Sequence, residues 1–246
     1  MGHVLTLALD TSSPSGSLAA LRDEQLIASV STATGEIYSS RMFRHLEFLL
    51  KELALDLRDF DLFAVAAGPG SFTGLRVGLA AVKGWSEAYA KPVAAVSALE
   101  AVAAQSHSRS PYLVPVLDAH RGQIYFGAYR RTSAGDAESA LALEGDECVM
   151  TPEEFFDALR ERSIFDFTIL ATDAGVLDRA ASRIETPRNA RPAHRMEQVS
   201  PILAPVIGRL GYRRAQRGEL LDALTLDANY VRRTDAELHW KAPKET

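Results

Sequence analysis

A chain of 246 residues with 47% hydrophobic and 24% charged side chains can bury one large or two small cores, and its formal charge of −5 argues against a broad phosphate-binding surface. A single cysteine, Cys148, excludes an internal disulfide and fits a reducing compartment. The opening MGHVLTLALD lacks the charged start and long apolar run of a secretory signal, and no stretch approaches the roughly 18 apolar residues of a membrane helix, so a cytoplasmic protein is expected.

Residues 4–10 form an aliphatic run closed by the turn TSSPSG, and 17–21 and 25–32 read as two further strands of a meander. In SSRMFRHLEFLLKEL, Met42, Phe43, Leu46, Leu49, Leu50 and Leu53 share one face of a 3.6-residue period, with Ser39 or Ser40 as cap. A buried strand at 62–67 runs into GPGSFTG and a helix. A strand at 93–96 then leads to Ser97-Ala98-Leu99-Glu100, which has capping-box spacing.

The second half repeats this order. Residues 112–117 are an apolar strand ending in Asp118, AHRG turns, 123–130 form a second strand, and 140–143 begin a third. Thr151-Pro152-Glu153-Glu154 is a helix start: a capping threonine, proline at the first position, and acids beside the positive helix end. A strand at 167–172, a helix at 175–184 and a last helix from Ser200-Pro201 to about Arg217 complete the copy. The segment ETPRNARPAHRMEQV, residues 185–199, has no clear period and leaves the last strand unplaced.

Two βββαβαβα units in one chain describe the α/β, duplicated actin-like (ribonuclease H-like) fold, with expected units at 1–108 and 109–218 and a tail at 219–246. In that fold each copy's first hairpin brings an aspartate to the cleft, here Asp10 and Asp118. Both also suit a purely local role, accepting hydrogen bonds from backbone amides in their own turns.

The glycine-studded AAGPGSFTGLRVGLAAVKGW carries two competing meanings. Ser71 or Thr73 can cap its helix, and a helix start attracts an anion by about 0.3–1 kcal/mol when exposed, about 2 when partly buried. The run lacks the Gly-Lys-Ser/Thr ending of a phosphate loop, and Gly68, Gly70 and Gly74 miss the G-x-G-x-x-G spacing. Along the helix Leu75, Leu79 and Val82 make one stripe, and Gly74, Gly78, Ala81 and Trp85 another. A helix-interior glycine costs about 1 kcal/mol against alanine. Close packing on the protein's own sheet, or a helix of a partner chain, would justify it. The second alternative predicts that Gly78→Leu disrupts pairing more than folding. Arg76 is either a surface cation or an anion ligand beside the turn.

The six histidines are dispersed, with no H-x-x-x-H pair for a metal, and Cys148 and the serines lack the settings of a hydrolase nucleophile. The enzyme alternative is an ATPase or kinase-like activity in which Asp10, Asp118 and Asp173 hold Mg²⁺ through water. Its cleft would draw on Asp10, Thr11, Ser12, Gly70, Ser71 and Asp118. No catalytic lysine accompanies them.

Taken together, LALDTSSPSGSLAAL, AAGPGSFTGLRVGLAAVKGW, AVSALEAVA, VPVLDAHRGQIYFGAY and NYVRRTDAE resemble the bacterial TsaB (YeaZ) family, in order and over most of the chain. The resemblance implies an actin-like, non-catalytic subunit for making threonylcarbamoyladenosine next to the anticodon of tRNA. It further implies pairing with the paralogous transferase TsaD, support of a complex with the ATPase TsaE, a homodimer when alone, and contact with tRNA only through partners. No cofactor is required of this subunit, with ATP or ADP entering at the level of the complex. The paralogue's metal-binding histidine pair falls here on Ala98 and Val102. Family dimer contacts map onto residues 39–55 and 73–89, where Met42, Leu46, Leu49, Gly74, Arg76, Gly78, Ala81 and Trp85 are the candidates. Two departures stand out: Tyr38-Ser39 replaces a His-Ser pair at the first helix, and Ala171-Thr172-Asp173-Ala174-Gly175 replaces a glycine-rich turn, which argues against nucleotide in the cleft.

Overall fold

The computed structural model describes residues 2–32, 40–132, 141–181, 194–229 and 231. Tyr38, the Ser39 cap, residues 182–193 and most of NYVRRTDAE lie outside them.

Five strands, β1 (Leu5–Asp10), β2 (Ser17–Arg22), β3 (Gln25–Ser31), β4 (Leu62–Gly68) and β5 (Val93–Ser97), form a sheet in the order β3-β2-β1-β4-β5. β1 pairs antiparallel with β2 and parallel with β4, so the meander and the crossovers meet at one strand. Alternation along the strands gives the two faces different character, one richer in alanine. Leu7, Leu9, Leu18, Phe63 and Val65 face one way, into one buried cluster; Ala8, Ala19, Ala64, Ala66 and Ala94 face the other. The bulky face takes α1 (Met42–Leu53), over β2 and β3, and α2 (Phe72–Tyr89), over β4. The small-residue face admits α6 (Ala204–Gln216), which crosses β1, β2, β4 and β5.

The second sheet contains β6 (Tyr112–Asp118), β7 (Ile124–Phe126), β8 (Tyr129–Arg131), β9 (Leu141–Leu143), β10 (Cys148–Met150), β11 (Phe167–Ala171) and β12 (His194–Gln198). Its order is β10-β7-β6-β11-β12, with β8 pairing β6 and β9. The strand expected at 123–130 is split in two at Gly127-Ala128, so that β7 pairs β10 while β8 pairs β9. The last strand, unplaced from sequence, is β12, parallel to β11. α4 (Pro152–Glu161) starts as expected, with Thr151 and Glu154 forming a capping box. α5 (Ala174–Ala181) covers β11 and β6.

Two helix starts differ from expectation. α1 has Arg41, one residue past Ser40, at its cap position, and the Arg41 side chain makes no capping hydrogen bond but donates to the Thr32 carbonyl. Before α3 (Ala98–Ala103), Ser97 accepts from the amides of Leu99 and Glu100 at 3.1 and 3.3 Å, but the Glu100 side chain pairs with Arg214 instead of closing the box.

The helix after each unit's last strand reaches the other unit. α3 follows β5 yet packs on β6 and β11, and α6 follows β12 yet packs on the first sheet. One buried cluster therefore contains Ala8, Leu21 and Ala64 together with Leu113, Tyr129 and Leu170. The first crossing, residues 104–111, is pinned by Arg131, which donates to the carbonyls of Ser106 and Ser108, and by Glu197, which accepts from Ser106 Oγ. Among the described residues no helix is long and apolar enough to cross a membrane.

The contact of α6 inverts an ordinary rule. Alanine in place of an exposed helical glycine stabilises by about 1 kcal/mol. A Cβ on Gly211 would lie 2.7 Å from Ala64 Cβ, whereas one on Gly84 of α2 meets nothing within 4 Å. Gly211→Ala is expected to lower the urea midpoint of unfolding and Gly84→Ala to raise it, each by the equivalent of about 1 kcal/mol.

Candidate functional site

Asp10 ends β1 and is wholly buried. Its Oδ1 accepts from the Ser12 amide at 2.8 Å and from Ser12 Oγ at 2.6 Å, while Oδ2 has no hydrogen-bond partner among the described residues. Burial lifts its pKa above the ordinary carboxylate value, and the two Ser12 bonds offset only part of that.

The turn beyond Asp10 occupies the groove that the glycine motif offers. Thr11 Oγ1 donates to the Gly74 carbonyl at 2.7 Å, and the Ser71 amide donates to the Ser12 carbonyl at 2.7 Å. A Cβ on Gly70 would overlap the Ser12 carbonyl, one on Gly74 the Thr11 carbonyl, and one on Gly78 the Thr11 hydroxyl. Of the two candidate caps, Ser71 is used: its Oγ accepts from the Gly74 amide at 3.3 Å. Gly68, at φ +115°, follows a path closed to most residues and precedes a cis peptide to Pro69. Gly70, Gly74 and Gly78 thus make room for this chain's own first turn. The expectation that Gly74 and Gly78 meet a partner helix is corrected by that contact.

The second aspartate has a different setting. Asp118, at the end of β6, is partly exposed, accepts from the His120 amide at 2.8 Å and pairs with Arg179 of α5 at 2.9 Å. Asp173 accepts from the Val176 amide at 3.0 Å and starts α5. Both fill the local, turn-forming role. Among the described residues no three His, Cys, Asp or Glu side chains gather as a metal cage.

The expected interface positions divide sharply. Met42, Leu46 and Leu49 are buried in the first unit's core, because the apolar stripe of α1 faces its own sheet. Phe43, expected on that stripe, is instead 57% exposed on one flank of it, and Phe48, on the other flank, is 54% exposed. On α2, Ala81 and Trp85 are half-buried against the same core, with the indole 5.8 Å from the Phe63 ring. Arg76 is exposed, its guanidinium 3.7 Å over the ring of exposed Phe72. Thr73, Ala80, Gly84 and Glu87 continue that open face. Phe48 lies off the helical apolar stripe, which is the sequence signal for an unburied aromatic.

A cavity of about 570 Å³ lies between the units, lined in part by Ser97, Glu100, Tyr129, Glu147, Arg214 and Asn229. Sequence reasoning found none of these as a group. Glu147 Oε1 accepts from Ser97 Oγ and Tyr129 OH, and its Oε2 accepts from Asn229 Nδ2 at 2.6 Å. Burial, then the Glu147 charge, pushes the Tyr129 phenol up, so Tyr129 stays a donor. Burial raises the Glu100 pKa against the opposing pull of Arg214.

Residues 32–156 match the family TsaD: tRNA N6-adenosine threonylcarbamoyltransferase. The chain is 36% identical over 124 residues to the tRNA threonylcarbamoyladenosine biosynthesis protein TsaB of Bacillus subtilis, a match covering 50% of this chain and 54% of that protein. With TsaB of Escherichia coli it shares 27% identity over 159 residues, 64% of this chain and 67% of the other. The chain thus spans about half the length of the Bacillus relative it matches. The solved structure of YeaZ from Pseudomonas aeruginosa superposes with a TM-score of 0.70 at 27% identity, over 92% of this chain and 100% of the other.

Two outcomes follow from the Asp10 and Thr11 geometry. A buried aspartate with a raised pKa binds its proton more tightly folded than unfolded. Its contribution to stability therefore falls as pH rises from its ordinary value of 3.8 through the folded value. Asp10→Asn is expected to flatten that decline in urea midpoints measured from about pH 4 to 8, and to be no less stable than the parent at neutral pH. Gly78→Leu is expected to cost the isolated chain about 1–3 kcal/mol or more through the Thr11 clash, read as a fall in thermal midpoint.

Proposed function

Because the chain belongs to the TsaD family and, within it, to the TsaB (YeaZ) members, we propose that it serves threonylcarbamoyladenosine formation in tRNA as a non-catalytic subunit docked onto a paralogous TsaD-type transferase. The observation that carries this reading is the aromatic outer face of the first unit. Phe43 and Phe48 of α1 and Phe72 of α2 are exposed, as are the small residues Ala80 and Gly84 of α2. Three exposed phenylalanines on the two helices that cover one face of the same sheet favour a surface that a partner covers. Aromatic anchors of this kind carry much of the energy in protein interfaces.

The non-catalytic part of the reading is supported at α3. Ala98 and Val102, the positions that resemblance assigns to the paralogue's metal-binding histidines, are fully buried aliphatic residues. They supply no ligand atom. In the proposed assembly the same face forms a homodimer when the transferase is absent, since one self-complementary patch suffices around a two-fold axis. The ATPase TsaE joins the complex, any ATP or ADP is handled at that level, and tRNA is contacted through the partners in the cytoplasm.

A nucleotide-hydrolysing reading draws on one observation, the unpartnered Oδ2 of Asp10. Calorimetry with ATP and Mg²⁺ on the isolated chain separates the two: heat of binding that Asp10→Asn abolishes would favour it over the docking role.

The docking role is tested by charge on the aromatic face. Phe43→Glu combined with Phe48→Glu is expected to leave the thermal midpoint of the isolated chain within a few degrees of the parent. It is expected to weaken binding to the TsaD-type subunit of the same organism at least tenfold in calorimetry, about 1.4 kcal/mol. Unchanged affinity would overturn the assignment of this face.

A further inference from the structure

The segment after α6 is bound to both units. Leu221 and Val93 exchange backbone hydrogen bonds of 2.8 and 3.0 Å, which seats the segment beside β5. Leu226 is fully buried in the core under α1 and α2, and Ala223 nearly so. The Asn229 amide then donates to the Ala67 carbonyl at 2.7 Å, and its own carbonyl lies 2.9 Å from where a Gly68 Cβ would stand. These residues form a strap that runs from β5 to the turn feeding α2.

The strap's final side chain leaves the first unit. Asn229 Nδ2 donates to Glu147 at 2.6 Å, on the loop before β10 of the second unit. The same carboxylate accepts from Ser97, the cap of α3, and from Tyr129 in β8. Three donors from three parts of the chain thus converge on one acceptor. A carboxylate accepts from all of them at once, whereas a glutamine there would keep its bond to Asn229 only if the Asn229 amide turned over to present Oδ1. Asn229 is itself exposed, so the bond adds little to stability as an isolated contact. What it controls is position.

We propose that Glu147 and Asn229 are the buckle of an interlobe strap: by fastening residues 221–229 to the second unit, they hold the Gly68–Gly70 turn and thereby fix where α2 starts. The order of the outer helix face depends, through the strap, on contacts in the opposite unit. Opening the buckle frees one wall of the cavity between the units and loosens the turn, while the sheets stay intact.

The test is a donor and acceptor exchange in the full chain, followed by hydrogen–deuterium exchange. Glu147→Leu and Asn229→Asp, each alone, are expected to speed exchange in peptides spanning residues 67–75 and 221–229 at least tenfold relative to peptides from β1 and β2. The double variant Glu147→Gln with Asn229→Asp is expected to return both to within threefold of the parent, since the amide introduced at position 147 then donates to the carboxylate introduced at position 229. Should Glu147→Leu not fold, Asn229→Leu, at an exposed position, is expected to show the same local acceleration. Exchange that rises uniformly over the chain, or not at all, would overturn the proposal, as would a double variant no better protected than the worse single.

Discussion

The thinness of one sheet face governs the rest of the molecule. Ala8, Ala64 and Ala94 stand where larger side chains would normally rise, and Gly208 and Gly211 of α6 settle onto them, with separations as small as 2.7 Å between Ala64 Cβ and a Gly211 Cβ position. The helix backbone rests directly on side-chain methyl groups there, with no side chain of its own between. Because that helix comes from the end of the second unit, the contact binds two sheets into one core. α3 makes the reverse crossing, and the pinned segment between the units leaves little freedom for one to swing against the other. With its inner face closed, the first unit turns the solvent side of α1 and α2 outward.

The glycine motif is a consequence of the same economy of space. A tight turn after β1 must pass beside the first turns of α2, and side chains at residues 70, 74 and 78 would obstruct Thr11 and Ser12. The resulting seam uses the amides and carbonyls that an anion would otherwise approach: Ser71 N–H on Ser12, and the Gly74 carbonyl with Thr11. Asp10 sits behind the seam, buried and half-satisfied, while its counterpart Asp118 is exposed and engaged with Arg179. Duplication has kept the positions and dissolved their chemical equivalence.

What can be read in advance follows physical range. The aliphatic period of β1, β2 and β4, the Thr151 cap and the inward stripe of α1 are local signals, and they lead to two similar α/β units. The stripe Met42, Leu46 and Leu49 is legible as a face, yet its neighbour is the chain's own sheet instead of a partner, since periodicity marks which side is apolar and not what covers it. β12, HRMEQ, escapes because an edge strand with mostly exposed side chains carries no core-facing alternation. Glu147 is invisible for another reason: its partners lie 18, 50 and 82 residues away, and no spacing rule spans such distances.

The exchange of helices between units also sets an order of events during synthesis. The first sheet has all its strands once Ser97 is made, but most of its alanine face, over β1, β2 and β4, has no cover until α6 emerges from the ribosome. Through that interval an apolar surface waits in water, the situation in which nascent chains draw chaperones or stick to one another. Closing it requires contacts between residues far apart in the chain, which slows the last step. A fold read at equilibrium as two neat halves is thus, in time, a single structure that completes itself late.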